Sequence, residues 1–371
     1  MDAMGIINLN DPDGYIHELT QYRPPAGVPF GGRYRLIDFP LSNLVNSGIT
    51  NVGILIQHKY RSLMDHLRSG KEWDLARKRD GLFLLPPATS AYPGEVHRGD
   101  VENFLSNMDY LIRNRQKYVV ISGAITVCNM NYRQVIDYHE KRGADITIIY
   151  SEKDCSEEDA SQSLMVEVDQ DRRVVDMQVK PHVSHNKKLC MEMFVMEKKL
   201  LISLIRDCVS HGDYDFIKHC IIKNIGNLNM CGYPYNGYVA RIHSLQSYYK
   251  HNMDLLKPEV WQELFFREGF IYTKVKDEPP SQYFESAETS NSLVSGGCRI
   301  AGKVENSILF RGVKVAEGAY VKNSIIMQKC EIAAGTVLEN VVCDKDVQVA
   351  AGKHLRGDAH YPFVIKKGMV I

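Results

Sequence analysis

The C-terminal quarter of the chain repeats a short pattern that restricts the fold more than any other feature of the sequence. An aliphatic residue followed by Ala, with Gly close behind, recurs at Ile300, Val315, Ile332 and Val349, so successive copies start 15, 17 and 17 residues apart. This spacing matches one coil of three hexapeptides, in which each edge turns an aliphatic side chain inward and Gly or Asn forms the corners. The pattern predicts a left-handed parallel β-helix rather than a β-sandwich with accidental glycine spacing.

The first 250 residues follow a different rule, since short apolar runs alternate with longer amphipathic ones. Gly48 and Gly143 mark two helix ends. This alternation predicts βαβ units, a mainly parallel sheet and a Rossmann-like α/β domain. The predicted strands are 5–9, 51–56, 118–122, 144–151 and 164–169, and the predicted helices are 40–48, 60–70, 101–115 and 131–143.

Between these two regions the sequence predicts a connection. Residues 243–266 have a helical pattern interrupted at Pro258, and residues 274–292 are polar with a Pro279-Pro280 pair. We therefore predict an α/β domain over 1–250, a helical and polar linker over 251–290, and a β-helix domain over 291–371. Because a coiled prism offers stacked faces and an open end, the β-helix favours an oligomer.

Composition excludes several classes of protein. Forty-five basic residues balance forty-five acidic ones, which argues against nucleic acid as the main partner. The sequence contains no apolar run of the roughly 20 residues needed to cross a bilayer and no secretory leader pattern, so we expect a cytoplasmic protein without membrane contact. Nine scattered cysteines without a CxxC pair predict reduced core thiols rather than disulfides or a zinc site.

The stretch "RPPAGVPFGGRYRLIDFPLSNLVNSGITNVGILI" (23–56) carries the most distinctive motif. Its glycines stand among arginines and an aspartate, a mixture suited to an anion-holding loop. This stretch and "GYVARIHSLQSYYKHNMDLL" (237–256) closely resemble the ADP-glucose pyrophosphorylases, the glucose-1-phosphate adenylyltransferases. The resemblance covers nearly the whole chain. It implies a Rossmann-like nucleotidyltransferase domain joined to a left-handed β-helix, and the Mg²⁺-assisted reaction of glucose 1-phosphate with ATP to give ADP-glucose and pyrophosphate.

The catalytic positions that the resemblance implies are degenerate here. The family's glycine-rich phosphate loop is reduced to Gly14 beside two aspartates, and its lysine aligns with Pro25. The first metal-binding aspartate aligns with Ala124, in the run "SGAITVCNMN" (122–131) that follows an apolar strand. The second aligns with Arg241, which replaces a metal ligand by a cation. We therefore predict no catalytic residues, no metal site and no cofactor in this chain, and expect Mg²⁺ only in an active partner subunit.

Part of the family's sugar-phosphate site remains. By the resemblance, Gly99, Lys180 and Asp215 occupy sugar-phosphate-binding positions. In the strand where the family has a serine and a glycine lining the sugar pocket, this chain has Cys190 and Glu192. The resemblance also places Arg23 and Arg35 where family members bind anionic effectors. The alternative for this pair is solvated side chains or ion pairs to Asp38 and its neighbours.

Among the family, the chain is most similar to the non-catalytic regulatory D-type subunits of Gram-positive glycogen synthesis. This resemblance implies a hetero-oligomer with a catalytic subunit, expected as a tetramer, although a homo-oligomer is also open. Two other functions stay open. One is a weakly active adenylyltransferase using Asp100, Glu102 or Asp215 for Mg²⁺, and the other is a sensor that binds a sugar phosphate or nucleotide without turnover.

Overall fold

A nine-stranded mixed sheet forms the centre of the N-terminal domain. The computed structural model describes residues 1–10, 16–87, 99–153, 157–181 and 188–371. The strands of this domain are β1 (Ala3–Asn8), β2 (Pro29–Phe30), β3 (Tyr34–Arg35), β4 (Asn51–Leu55), β5 (Gly81–Leu85), β6 (Tyr118–Ser122), β7 (Thr126–Val127), β8 (Ile146–Ser151), β9 (Leu164–Val168), β10 (Val174–Val179), β11 (Lys188–Glu197), β12 (Met230–Tyr235) and β13 (Ala240–Arg241).

The order of the large sheet is β10-β9-β11-β6-β1-β4-β5, with β8 joining β11 to β12. Strands β6, β1, β4 and β5 run parallel, whereas β11 is antiparallel to β6, β8 and β9. Both faces of the sheet are covered: along β1, Ala3 and Ile7 belong to one apolar cluster and Met4 and Ile6 to the other. Burial on both faces explains why these strands are continuous apolar runs.

Helices cover the two faces and lead into the second domain. They are α1 (His17–Thr20), α2 (Asp38–Asn46), α3 (Arg61–Leu67), α4 (Asp100–Ser106), α5 (Met108–Arg113), α6 (Tyr132–Arg142), α7 (Glu157–Ser161), α8 (Lys198–His211), α9 (Leu245–Asp254) and α10 (Pro258–Phe266). A π-helical turn spans Phe216–Ile221. No helix in the described part of the chain is both long and apolar enough to cross a membrane.

The second domain is a parallel β-helix, which confirms the prediction from the repeat. Its three sheets are β14-β17-β20-β23-β26, β15-β18-β21-β24-β27 and β16-β19-β22-β25-β28. The strands are β14 (Gln282–Tyr283), β15 (Glu288–Ser290), β16 (Leu293–Val294), β17 (Arg299–Ile300), β18 (Lys303–Glu305), β19 (Ile308–Leu309), β20 (Lys314–Val315), β21 (Tyr320–Lys322), β22 (Ile325–Ile326), β23 (Glu331–Ile332), β24 (Val337–Glu339), β25 (Val341–Cys343), β26 (Gln348–Val349), β27 (His354–Arg356) and β28 (Phe363–Ile365).

The repeated aliphatics stack directly on one another. Ile300 pairs with Val315, Val315 with Ile332, and Ile332 with Val349, each in parallel register. At one corner Asn306, Asn323 and Asn340 take left-handed backbone conformations with φ of 50°, 46° and 54°. Asn306 donates its side-chain amide to the side chain of Asn323, 2.7 Å away, so the corners are linked from coil to coil.

The two domains share an apolar core. Ile308, Ile325 and Val342, from three coils of the β-helix, belong to the same buried cluster as Tyr248 of α9 and Leu264 of α10. The β-helix is therefore packed against the α/β domain along one of its faces.

Two expectations differ from the structure. The predicted helix 101–115 is two helices, α4 and α5, which meet at Asn107, where the side-chain amide donates to the Asn103 carbonyl oxygen at 3.0 Å. The polar stretch predicted as linker already contains β14 and β15, the first coil strands. Their side chains are mostly exposed, so the inward aliphatic residues that reveal the later coils are missing.

Candidate functional site

The end of β6 has no side chain that can bind a metal. Ser122 closes the strand, and Ala124 after it is fully buried in an apolar cluster. The short strand β13 pairs with β7 so that Arg241 lies opposite Thr126. The two positions that the resemblance assigns to metal-binding aspartates thus lie on neighbouring segments, and neither carries a carboxylate.

Arg241 has a carboxylate partner of its own. Its Nη2 donates to Oε1 of Glu192, on β11, and its Nη1 lies 3.5 Å from Oγ1 of Thr126. The Arg241 side chain is 10% exposed and that of Glu192 is 29% exposed. The guanidinium and the carboxylate neutralise each other, so the pair is a partly buried ion pair within the site.

This pair lines a small cavity. The cavity has a volume of about 150 Å³, and Lys180 and Pro25 also border it. Lys180 follows β10 with a left-handed φ of 49°, and its backbone N–H donates to the Ser163 carbonyl oxygen at 2.9 Å. The structure therefore brings four sequence-derived positions together: Pro25, Lys180, Glu192 and Arg241.

The residues present do not fit a divalent cation. Of the described residues that line the cavity, only Glu192 is acidic, and its carboxylate is already bound to a guanidinium. Mg²⁺ requires several oxygen ligands, commonly carboxylates, and a neighbouring cation opposes its binding. Within the described ranges, no three His, Cys, Asp or Glu side chains are grouped so that they could hold a metal ion.

Gly99 and Asp215 lie elsewhere and serve the fold. A Cβ atom on Gly99 would lie 2.2 Å from the Tyr214 carbonyl oxygen, so only glycine allows this approach. Asp215 caps the π-helical turn, where its side chain accepts from the Lys218 backbone N–H at 2.9 Å. Gly99 therefore packs at the start of α4 against the segment after α8, and Asp215 stabilises the turn within that segment.

Asp100, a candidate Mg²⁺ ligand, is also committed to structure. It is 4% exposed and accepts hydrogen bonds from the Phe216 backbone N–H at 2.8 Å and from the Asn8 side chain at 2.9 Å. Burial raises the pKa of its carboxyl group above the ordinary value, although both hydrogen bonds act in the opposite direction. The Asp100 carboxylate therefore links three segments of the fold: the start of α4, the end of β1 and the segment after α8.

A second cavity of about 360 Å³ opens at the carboxyl ends of β1 and β4. Parallel strand ends are where ligands of such folds collect. Pro25 borders this cavity as well. Asn10 and Gln57 also border it, and Gln57 Nε2 donates to Asn10 Oδ1 at 2.8 Å. We did not identify these two amides from the sequence, because they belong to no recognised motif. The loop positions 11–15, including Gly14, lie outside the described residues.

Arg23 and Arg35 lie at the boundary between the domains. Arg23 is 4% exposed and its Nη2 donates to Oδ2 of Asp344, in the β-helix. The backbone N–H of Arg35 donates to the Asp38 carboxylate at 3.0 Å, and its Nη1 donates to the Ser62 carbonyl oxygen at 2.8 Å. Arg23 therefore forms an ion pair between the two domains and is not a solvated side chain.

Further cations surround these two arginines. We define the interdomain cation cluster as Arg23, Arg35, Lys276, Arg311 and Lys345. Burial lowers the pKa of Lys345 to about 7, with Arg35 and Arg23 lowering it further and Asp344 opposing them. Burial likewise lowers the pKa of Lys276, and Arg311 is the next largest cause. The cluster thus holds basic side chains close enough to lower one another's pKa, and its lysines could not be identified from the sequence because they are distant from both arginines along the chain.

The chain matches two family models, one for each domain. The nucleotidyl transferase model matches residues 16–257, and the GlmU-like C-terminal hexapeptide model matches residues 279–371. The first of these covers more than half of the chain.

Several proteins are similar to this chain over most of its length. The glycogen biosynthesis protein GlgD of Bacillus subtilis is 39% identical over 99% of this chain and 96% of its own length, and GlgD of Geobacillus stearothermophilus is 42% identical over the same shares. The glucose-1-phosphate adenylyltransferase of Clostridium beijerinckii is 34% identical over 82% of this chain and 79% of its own length. The match to the GlgD proteins therefore extends over more of this chain than the match to that adenylyltransferase.

Proposed function

This chain belongs to the nucleotidyl transferase family that includes the ADP-glucose pyrophosphorylases, and from that premise we propose that it is a regulatory, catalytically degenerate subunit of that enzyme. The similarity to two glycogen biosynthesis proteins over nearly the full chain supports a role in glycogen synthesis. In this role the chain works in the cytoplasm and modulates a catalytic subunit that makes ADP-glucose.

One observation carries the proposal: the guanidinium of Arg241, at the position that the resemblance assigns to a metal-binding aspartate, is neutralised by the chain's own carboxylate. Transfer of a nucleotidyl group needs cations that neutralise charge on the phosphates and carboxylates that hold those cations. Ala124 offers no carboxylate at the other position, and Pro25 offers no charge where the family has lysine. The Mg²⁺ used in catalysis therefore belongs to the partner subunit in this proposal.

The partner is the catalytic subunit in a hetero-oligomer, which we expect to be a tetramer. A subunit without activity shifts the behaviour of an assembly only if it binds the partner's conformations with different affinities. The β-helix packs on the α/β domain through a shared core, so a change at the domain boundary reaches both domains. This arrangement supports a regulatory role at the boundary.

We place the effector at the interdomain cation cluster. Arg23 and Arg35 are the basis of this hypothesis, and Lys345 supports it because its pKa is lowered to about 7 by burial and by those arginines. An anion with more than one phosphate group would relieve this repulsion. Its binding would join a loop of the α/β domain to two coils of the β-helix.

Two alternatives make different predictions. A weakly active adenylyltransferase needs carboxylates for Mg²⁺, yet Asp100 and Asp215 are engaged in hydrogen bonds that hold the fold. A sensor without turnover would bind a sugar phosphate through Lys180, and replacing Lys180 by alanine would abolish that binding.

The test compares the chain alone with the chain in an assembly. With ATP, glucose 1-phosphate and Mg²⁺, the purified chain should form no ADP-glucose above background. Co-expressed with the adenylyltransferase subunit of the same organism, it should co-purify and change that subunit's maximal rate or effector response. ADP-glucose formation by the lone chain at the rate of the catalytic subunit would contradict the proposal.

A further inference from the structure

Two residues that differ from the family's sequence pattern contact each other in the structure. Glu192 stands where the family has a pocket glycine, and Arg241 stands where it has a metal-binding aspartate. The two residues are 49 positions apart in the chain, yet Nη2 of Arg241 donates to Oε1 of Glu192. Without Glu192 the nearly buried guanidinium of Arg241 would lose a carboxylate partner, and without Arg241 the Glu192 carboxylate would lose a guanidinium partner. The two substitutions therefore form one structural unit.

The backbone at Glu192 takes a conformation that favours glycine, although the residue carries a long side chain. Glu192 has a φ of 54°, in the left-handed region where glycine is favoured and other residues are uncommon. A glycine would take the same conformation without steric cost. Strained positions of this kind persist where the surroundings hold them, and here the ion pair is that support.

The space left beside the pair is smaller than a common ligand pocket. The cavity has a volume of about 150 Å³, whereas ligand pockets commonly have volumes of roughly 300–1,000 Å³. Glu192 and Arg241 both border it, and among the described residues that border it Lys180 is the other lysine or arginine. Any anion that enters must compete with the Glu192 carboxylate for the guanidinium.

We propose that Glu192 and Arg241 act as a built-in ligand pair that fills the former substrate pocket. The guanidinium supplies the positive charge of the missing metal, and the carboxylate supplies the negative charge of the missing phosphate. The isolated chain therefore binds neither a divalent cation nor glucose 1-phosphate in this pocket. This inference goes beyond the proposed function, because it concerns the pocket of the chain alone and needs no partner.

The decisive variant is Glu192→Gly. It removes the competing Glu192 carboxylate and relieves the strain of the left-handed backbone conformation. It also enlarges the cavity that Arg241 and Lys180 border. Isothermal titration calorimetry without Mg²⁺ should detect glucose 1-phosphate binding by this variant that is at least about tenfold tighter than any binding detected with the wild-type chain, the scale expected when one competing charged group is removed. Glu192→Gln, which keeps the size of the side chain, should change affinity in the same direction by a smaller factor.

The matched control is Glu197→Gly on the same strand. Glu197 forms an exposed ion pair with Lys117 at 3.3 Å, far along β11 from the pocket, so its removal should leave glucose 1-phosphate binding at the wild-type level. Circular dichroism of each variant checks that it is folded. If the glycine variant does not fold, Glu192→Gln alone decides the test.

Two results would overturn the inference. One is saturable binding of glucose 1-phosphate by the wild-type chain with an affinity equal to that of the Glu192 variants. The other is saturable Mn²⁺ binding by the wild-type chain, followed by electron paramagnetic resonance, that glucose 1-phosphate alters. Both measurements use the isolated chain. They can therefore contradict the inference about the pocket while the proposed effect on a catalytic subunit, which is measured separately, still holds.

Discussion

Two buried arginine–carboxylate pairs lie in different regions of this molecule and have different surroundings. Arg241 and Glu192 neutralise each other in a cavity of about 150 Å³. Arg23 and Asp344 join the two domains, and there Arg35, Lys276, Arg311 and Lys345 add positive charge. In the first region Lys180 is the other lysine or arginine among the described residues that border the cavity, whereas in the second several further basic residues surround the pair.

The difference shows where a ligand can still act. In the pocket, an anion must displace a carboxylate of the chain itself, so the free energy of binding is reduced by the loss of an existing ion pair. At the domain boundary, an anion relieves repulsion among cations that are already held together. A nucleotidyltransferase fold can thus lose its chemistry at one site and keep an anion-responsive surface at another.

The largest expected effect comes from breaking the interdomain pair. The Arg23 side chain is 5% exposed and that of Asp344 is 2% exposed, so Arg23→Ala leaves a carboxylate buried without its partner. We expect a loss of about 3–5 kcal/mol in the free energy of unfolding, measured by urea denaturation. Arg113→Ala is the control, because its pair with Asp109 is exposed and should change stability by less than about 1 kcal/mol. Equal effects of the two variants would contradict a structural role for the interdomain pair.

The pocket pair should contribute less. Glu192 is 29% exposed and keeps contact with water, so Arg241→Ala should reduce the free energy of unfolding by about 2 kcal/mol. Glu192→Gly also relieves the left-handed backbone, and thermal denaturation should show a smaller loss for it than for Arg241→Ala. A larger loss of stability for Glu192→Gly than for Arg241→Ala would mean that the backbone at Glu192 is not strained.

Most of the fold could be predicted because its signals are local or periodic. Strand β6 matches the predicted run 118–122, and α6 ends at Gly143, which has a φ of 56° as a helix-terminating glycine requires. The β-helix followed from its coil-length repeat, since one inward aliphatic residue per coil must stack on the next. The first coil was missed because Gln282 and Tyr283 are exposed and carry no such signal.

For the site, the sequence mainly predicted which metal-binding residues are missing. Sequence comparison identified Ala124 and Arg241 as missing metal ligands, and it noted Glu192 separately. That Arg241 and Glu192 touch depends on the pairing of β13 with β7 and on the path of β11, which no local pattern encodes. The same holds for Arg23 and Asp344, which are 321 positions apart.

A smaller effect should appear in the pH dependence of anion binding at the interdomain cation cluster. Because the pKa of Lys345 is lowered to about 7, Lys345 is charged below that pH and increasingly neutral above it. Arg23, Arg35, Lys276 and Asp344 are the charged groups that face it. Calorimetry with a hexose bisphosphate should show affinity falling several-fold from about pH 7 to about pH 9, a range above the second phosphate pKa of about 6.

Lys345→Arg is the control for this titration, because an arginine keeps its charge across the range. Its affinity profile should be flat where that of the wild type declines. A wild-type profile as flat as that of the variant would exclude Lys345 from the binding site.

The most direct test of the account is the rate of ADP-glucose formation by the catalytic subunit with and without this chain, across a titration of hexose bisphosphate. We predict no product from this chain alone, an altered maximal rate or bisphosphate response in the mixture, and loss of the altered bisphosphate response when the chain carries Arg35→Gln. A mixture whose rate and bisphosphate response equal those of the catalytic subunit alone would contradict the account.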